Sequence, residues 1–502
     1  MIPSILLQII FIPALVALFI FIFRYQLGKS AGWLAVLGIA YTTGLLLVLL
    51  SSVYQGDPIK VDYPLLINPD IRLTLLADGL SVAVALICNL LCLALAVYSI
   101  KYVDHRIEVI YEDVSPKMEI SYYACFFYLF LFFPVGFSGV SFAADLVVLY
   151  FFLEILTIIL YFLLAYYGYY ERVKVATMCL LWGMFSAVLV LGGILIIYSQ
   201  IGTFQIDAIH QMSGDPLAFW AIALILLGMF GKIAIIPLHV WMPWVHSNTP
   251  TSIAALLAVY ANIAAYVIVR ILVLPLWEDF QWFGPPIMVL GLITMIYGSL
   301  LTLAQTDIKR IPACSTVSQC AYSMLGIGAL TAASIEGGLF FFLSHIMAKT
   351  VFFSTAGIVV YVTHIRDITQ LRGLASKMPI TALLFICGGL MLAGMPPFSS
   401  FPAEVILFYG IFERADAFSI TIGIIGLLAV LLTFGYAFYF TMKIFFGTMP
   451  EKLAKKDYIK DPPWLMSLPL IFVVLLSAFL GLYPAFIMNL FEPVISGALA
   501  NM

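Results

Sequence analysis

The sequence predicts an all-α, polytopic membrane protein of about fourteen transmembrane helices. Two observations carry that class: 64% of the 502 residues are hydrophobic and only 10% are charged, too few to give a globule a polar surface. A third excludes the other membrane architecture, because the alternating ten-residue pattern of a β-barrel is absent and only helices otherwise satisfy their own backbone in lipid.

A helix needs about 20 residues to cross a hydrocarbon core of roughly 30 Å. Segments of that kind are expected at 2–23, 31–53, 73–98, 120–140, 144–168, 174–199, 216–236, 252–273, 284–305, 311–331, 337–362, 379–395 with a continuation at 402–413, 418–446 and 464–488. The first is not a secretory signal: no basic residue precedes its apolar run, and Arg24 and Lys29 follow it. Of the 23 Lys and Arg, seventeen fall in loops after odd-numbered spans, from Arg24 to Lys460, and four (Lys60, Arg72, Arg270, Arg414) in the opposite loops. The positive-inside rule then makes the odd loops cytoplasmic and puts both termini outside a cell (inner) membrane. Lys232 and Lys349 remain inside the bilayer.

Several chemistries are excluded. The seven cysteines lie in or beside apolar spans without the close spacing that holds zinc or iron–sulfur groups. No glycine-rich phosphate loop, dinucleotide fingerprint or nucleophile elbow occurs. Loops are too short for a soluble catalytic domain, so no cofactor, metal or nucleic acid is expected, and the net charge of −3 says little about partners.

The expected spans carry few ionisable residues: Glu154, Lys232, His345, Lys349 and Glu404. A charge at the bilayer centre costs at least about 2.5–3.5 kcal/mol and usually serves transport or proton relay. Glu154, alone in YFFLEILTIILYFLL, and Lys232 form either a static packing pair or a functional one. His345 and Lys349 stand at i and i+4 in FFFLSHIMAKTVFF, one above the other on one helix face. They are a relay candidate, with a satisfied core histidine as the alternative.

Two spans are interrupted by proline, which removes a backbone donor and frees carbonyls. One break follows Lys232 at Pro237, with His239 and His246 beyond it; the other, at Pro396, Pro397 and Pro402, precedes Glu404. Broken helices that line a cavity mark transporters, although proline kinks also occur in inert helices. His239 and His246 are relay candidates or ordinary interfacial residues. The breaks fall in the seventh and twelfth spans, and an offset of five inverts chain direction. This divides the chain into 1–119 with three helices, a first repeat at 120–273, an inverted second repeat at 284–446, and a cytoplasmic loop with a last helix at 447–502.

Taken in order, LLADGLSVAVALICNLL, FFLEILTIILYFLL, GKIAIIPLHVWMPWVHSNTPTSIAALLA, TDIKRIPACSTVSQCAYSMLG, SHIMAKTVFFSTAG and GMPPFSSFPAEVILF resemble the antiporter-like subunits shared by respiratory complex I, Mrp-type Na+/H+ antiporters and membrane-bound energy-converting hydrogenases. The resemblance covers nearly the whole chain. It implies that Glu154 and Lys232 form the carboxylate–lysine pair of a first half-channel, His345 and Lys349 the central relay, and Glu404 the terminal residue of a second. The chain departs from the pattern at Asn262, where many members carry an ionisable residue; Asn holds a water but stores no proton. It also lacks the long lateral helix of one complex I member and so looks like the shorter type.

The function expected is an ion-translocating subunit of a larger complex, moving protons, with Na+ exchange an open question. It has no redox chemistry of its own; other membrane subunits and a peripheral redox module supply the energy. Two alternatives stay open: a stand-alone carrier of a small solute, and a non-conducting scaffold subunit.

Overall fold

The computed structural model describes residues 4–67, 69–111 and 115–500. Residues 2 and 3 of the first expected span lie outside the described residues, as do 112–114 and 501–502 of the expected terminal segments.

The chain begins with α1 (Ile5–Ile22), a short α2 (Arg24–Leu27) and α3 (Ser30–Val53), followed by the strands β1 (Ile59–Leu66) and β2 (Ile71–Ala77). The sequence reading missed this hairpin: 73–77, expected as the start of the third span, is strand, and the helix α4 (Gly79–Ile110) begins after it. The strands pair antiparallel with Asp62 opposite Thr74, and the Arg72 guanidinium clasps the Asp62 carboxylate at 2.6 Å. Those hydrogen bonds hold the Asp62 carboxyl below its ordinary range. Asp78 then caps α4 reciprocally with Ser81, a capping box.

Next come α5 (Pro116–Phe130), α6 (Phe132–Phe142), α7 (Leu146–Tyr167), α8 (Arg172–Ile201), α9 (Pro216–Ile233), α10 (Trp241–Asn248) and α11 (Thr251–Ile268), which ends in a π turn at Val269–Val273. They are followed by α12 (Trp277–Phe280), α13 (Gly284–Leu303), α14 (Arg310–Ala329), α15 (Ala332–Thr363), α16 (Pro379–Leu392), α17 (Ser400–Glu413), α18 (Ala417–Phe445), α19 (Glu451–Ala454), α20 (Trp464–Leu482) and α21 (Ala485–Ala500). The last expected span, 464–488, is therefore interrupted at Tyr483-Pro484, where proline disfavours helical backbone in the residue before it.

Among the described residues, twelve helices are long and apolar enough to cross a membrane. Two more expected spans differ in kind. One is α14, buried throughout from Ile311 to Ala329 although it carries Ser315, Thr316, Ser318, Gln319 and Ser323. The other is the interrupted pair α16 and α17. Outward faces are apolar: Leu181 and Val188 of α8 are 60% and 67% exposed, and Leu428 and Leu431 of α18 are 61% and 65% exposed. Such faces suit hydrocarbon, not water. The fold is all-α and multi-pass, with one two-stranded hairpin.

The chain packs as two compact units. The first comprises Met1–Ile233, Tyr260–Gly284 and Ala485–Met502. Within it α7, α8 and α9 lie side by side, and α21 returns to α4 so closely that any side chain on Gly79 would overlap the Leu490 carbonyl. The second comprises Ala234–Val259 and Pro285–Pro484. Its axis is α15, 32 residues and therefore about 48 Å long, flanked by α14, α16, α17 and α20.

Candidate functional site

In the first unit, Glu154 lies in the middle of α7 and Lys232 in the last turn of α9, where the negative end of the helix dipole favours a cation. Lys232 Nζ donates to Glu154 Oε1 at 3.1 Å. It also donates to Thr157 Oγ1 and to the Tyr260 hydroxyl, both at 3.3 Å, and those two hydroxyls are 3.0 Å apart. The side chain of Lys232 is 2% exposed and that of Glu154 20%. The ammonium is thus held by one carboxylate and two neutral hydroxyls, which lower the cost of its burial without fixing the charge permanently.

Thr157 and Tyr260 were missed in the sequence. Thr157 could have been found, because it follows Glu154 by three residues and shares its helix face; Tyr260 had no local signal. Asn262 is fully buried on α11.

In the second unit, His246 sits on α10, buried against the Phe353 ring at 5.3 Å. Neither of its ring nitrogens has a hydrogen-bond partner among the described residues. His345 and Lys349 are both buried one turn apart on α15. Lys349 Nζ points to α14, donating to the Pro312 carbonyl at 2.9 Å and to the Ser315 hydroxyl. His239 is only half-buried and lies edge-on to Tyr297 at 5.0 Å.

From Ser315 a run of polar side chains continues along α14 and across to α18. Ser315 approaches Tyr436. Gln319 Nε2 donates to the Tyr436 hydroxyl at 3.2 Å and to Thr433 Oγ1 at 3.3 Å, and Thr433 is 3.2 Å from the Tyr322 hydroxyl. Residues 315, 319, 322 and 323 recur at three to four positions and so share a face of α14, which explains why a buried helix is this polar.

Glu404 lies one turn into α17, near the positive end of that helix. It is 8% exposed, and its Oε1 has no partner among the described residues. The break before it is braced by α20, where the hydroxyls of Ser399 and Ser477 are 2.9 Å apart.

Three cations that the charge pattern placed in loops are buried. Arg106 donates to the Tyr167 and Gly168 carbonyls. Arg270 pairs with Asp78 at 2.6 Å from within the π turn. Lys309 is fully buried, donating to the Thr249 carbonyl at 2.7 Å. The acids Asp145 and Glu336, which were not singled out in the sequence, are also buried. Among the described residues, no group of His, Cys, Asp and Glu is arranged to hold a metal ion.

The chain is thus a multi-pass helical membrane protein with an ion pair at one helix break and a buried carboxylate beside another. Residues 143–433, more than half of the chain, match the family described as NADH:quinone oxidoreductase/Mrp antiporter, transmembrane, and the chain belongs to that family. It is 28% identical over 518 residues to the Na(+)/H(+) antiporter subunit A1 of Staphylococcus aureus, covering 97% of this chain and 62% of that protein. It is 27% identical over 510 residues to the NADH-quinone oxidoreductase subunit M of Rickettsia felis, covering 96% of each. The chain spans 58% of the Staphylococcus epidermidis relative named mnhA2. A chain of the Mrp complex from Dietzia sp. shares the fold with a TM-score of 0.84 at 20% identity, covering 99% of this chain and 100% of that one. A chain of respiratory complex I from Thermus thermophilus does so with 0.85 at 22% identity, covering 99% of each. These relatives and neighbours are subunits of multisubunit assemblies.

Proposed function

We propose that this chain translocates protons as one membrane subunit of a multisubunit energy-converting complex of the Mrp, hydrogenase or complex I type, with Na+ as the candidate counter-ion. The observation that carries the reading is Lys232: an almost fully buried ammonium at the end of an interrupted helix, held by Glu154 and two hydroxyls. Glu154 stabilises the charged lysine. When the pair separates, the ammonium loses its counter-charge in a low-dielectric site and gives up its proton.

Breaking a buried pair costs about 3–5 kcal/mol, more than the about 2.3 kcal/mol needed to move one charge against 100 mV. The switch is therefore large enough to drive transport. In the second unit His246, His345 and Lys349 receive and hold the proton, and Glu404 releases it. Asn262 stores none. The signs at the two breaks follow the helix dipoles, with lysine at a helix end and glutamate near a helix start. On this reading 120–273 and 284–446 are inverted repeats, both termini lie outside, and a peripheral redox module or an ion gradient supplies the energy.

The test is proton uptake into sealed vesicles carrying the intact complex, driven by a Na+ gradient and, separately, by electron donors. Uptake is expected to be lost in Lys232→Ala and in Glu404→Gln at normal complex yield. Wild-type rates in both variants would refute translocation through this subunit.

A further inference from the structure

The half-helix α10 is held at its far end by cations. It has only eight residues, too few to be stable or fixed in position by its own hydrogen bonds, and it carries His246. Its terminal carbonyls do not face solvent. Lys309 Nζ donates to the Thr249 carbonyl at 2.7 Å, Arg366 Nη2 donates to the Ser247 carbonyl at 3.2 Å, and the Arg310 guanidinium lies 4.9 Å from the Trp244 ring.

These cations come from two loops that are zipped together. Ile308 N–H donates to the Arg366 carbonyl and Ile368 N–H to the Thr306 carbonyl, both at 2.9 Å. The Asp307 carboxylate pairs with Arg366 at 2.8 Å and accepts from Lys309 N–H at 2.8 Å. A loop anchor would not need a fully buried ammonium, whose desolvation costs several kcal/mol. A neutral donor would satisfy Thr249 equally well. A charge is favoured here by the negative end of α10.

We propose that Lys309 and Arg366 are positioning residues that clamp the end of α10 by charge and so hold the buried His246 imidazole in place against Phe353. The clamp rests on the proton-translocation reading. Charged, Lys309 pins the half-helix; with its charge removed, α10 is free to shift and His246 loses its place in the relay.

The experiment measures proton uptake beside complex yield in vesicles carrying the intact complex. Lys309→Gln retains a hydrogen-bond donor but no charge. It should slow uptake about tenfold, the rate equivalent of the roughly 1–2 kcal/mol a cation supplies at a partly buried helix end. Lys309→Arg should retain most of the rate. Because the clamp acts through His246, Lys309→Gln combined with His246→Gln should be no slower than His246→Gln alone. Wild-type uptake in Lys309→Gln, or a double variant slowed by the product of the single effects, overturns the clamp. If Lys309→Gln fails to assemble, Arg366→Gln decides: slower uptake supports the clamp and an unchanged rate overturns it. Loss of uptake in Lys232→Ala and Glu404→Gln with no effect at Lys309 or Arg366 leaves translocation standing and removes only the clamp. Absence of uptake in wild-type vesicles removes both.

Discussion

The carboxylate of Glu404 rests against the backbone of Gly394, which has φ +63° and leaves no room for a Cβ without overlap with that carboxylate. The helix break therefore does two things: it interrupts the backbone and forms the seat of the buried acid. Gly394→Ala should impose about 1–2 kcal/mol of left-handed backbone strain and also displace Glu404. Gly202→Ala is the matched control, because Gly202 has φ +70° with nothing within 4 Å of a new Cβ. Both variants should lose stability to heat, and only Gly394→Ala should also lose proton uptake per assembled complex. Equal uptake in the two would show that the seat does not matter.

The hydroxyls of Tyr322 and Tyr436 are expected to serve conduction more than folding. Tyr322 stacks on Phe341 with centroids 4.5 Å apart, and phenylalanine would keep that stacking. Tyr436→Phe leaves one Gln319 hydrogen bond unmade, at a cost of about 0.5–1.5 kcal/mol. Uptake in Tyr322→Phe, Tyr436→Phe and the double variant should fall while yield holds. A double variant that pumps normally would take the α14 face out of the path.

Topology can be tested at Lys455, whose side chain is 80% exposed in a loop tied down by Lys377, which donates to the Ala454 and Lys456 carbonyls. On the proposed orientation, with both termini outside, this loop is expected in the cytoplasm. A cysteine at 455 should resist impermeant thiol reagents in intact cells and react in inverted vesicles. The native cysteines are buried or half-buried and give a low background. Efficient labelling from outside would reverse the orientation.

Apolar runs made the spans legible, because a lipid-embedded helix must be apolar along its length whatever it packs against. Breaks were legible for a similar reason, since proline acts on its own backbone. What escaped depends on tertiary packing. Whether a cation near a helix end is solvated, like Lys455, or buried, like Lys309 and Arg270, is decided by elements far away in sequence. Tyr260 and Thr433 were hidden among many similar hydroxyls, and only the positions of Lys232 and Gln319 single them out. The hairpin at 59–77 was overlooked because its second strand is as apolar as the span it leads into.

The environment of Lys232 separates an electrical role from a packing role. Glu154→Gln keeps the shape and the acceptor oxygen that lies 3.1 Å from Nζ but deletes the counter-charge, leaving the ammonium held by neutral acceptors alone. The lysine should then be deprotonated more readily and fail to reload, so uptake falls while yield changes little. Lys232→Ala should lose the same step by removing the carrier. Glu154→Gln with Lys232→Ala should be little worse than either, because coupled residues in one step are not additive. Tyr260→Phe tests the hydroxyl's share: it removes one of three acceptors yet keeps the ring 5.2 Å from Nζ, and should give an intermediate rate. A packing pair predicts the opposite pattern, since replacing a buried ion pair by well-packed apolar residues is often neutral or stabilising. Replacing Glu154 and Lys232 together by Leu and Met would then restore both yield and uptake. Recovery of uptake in that apolar double variant would assign the pair to packing; normal yield without uptake would assign it to proton transfer.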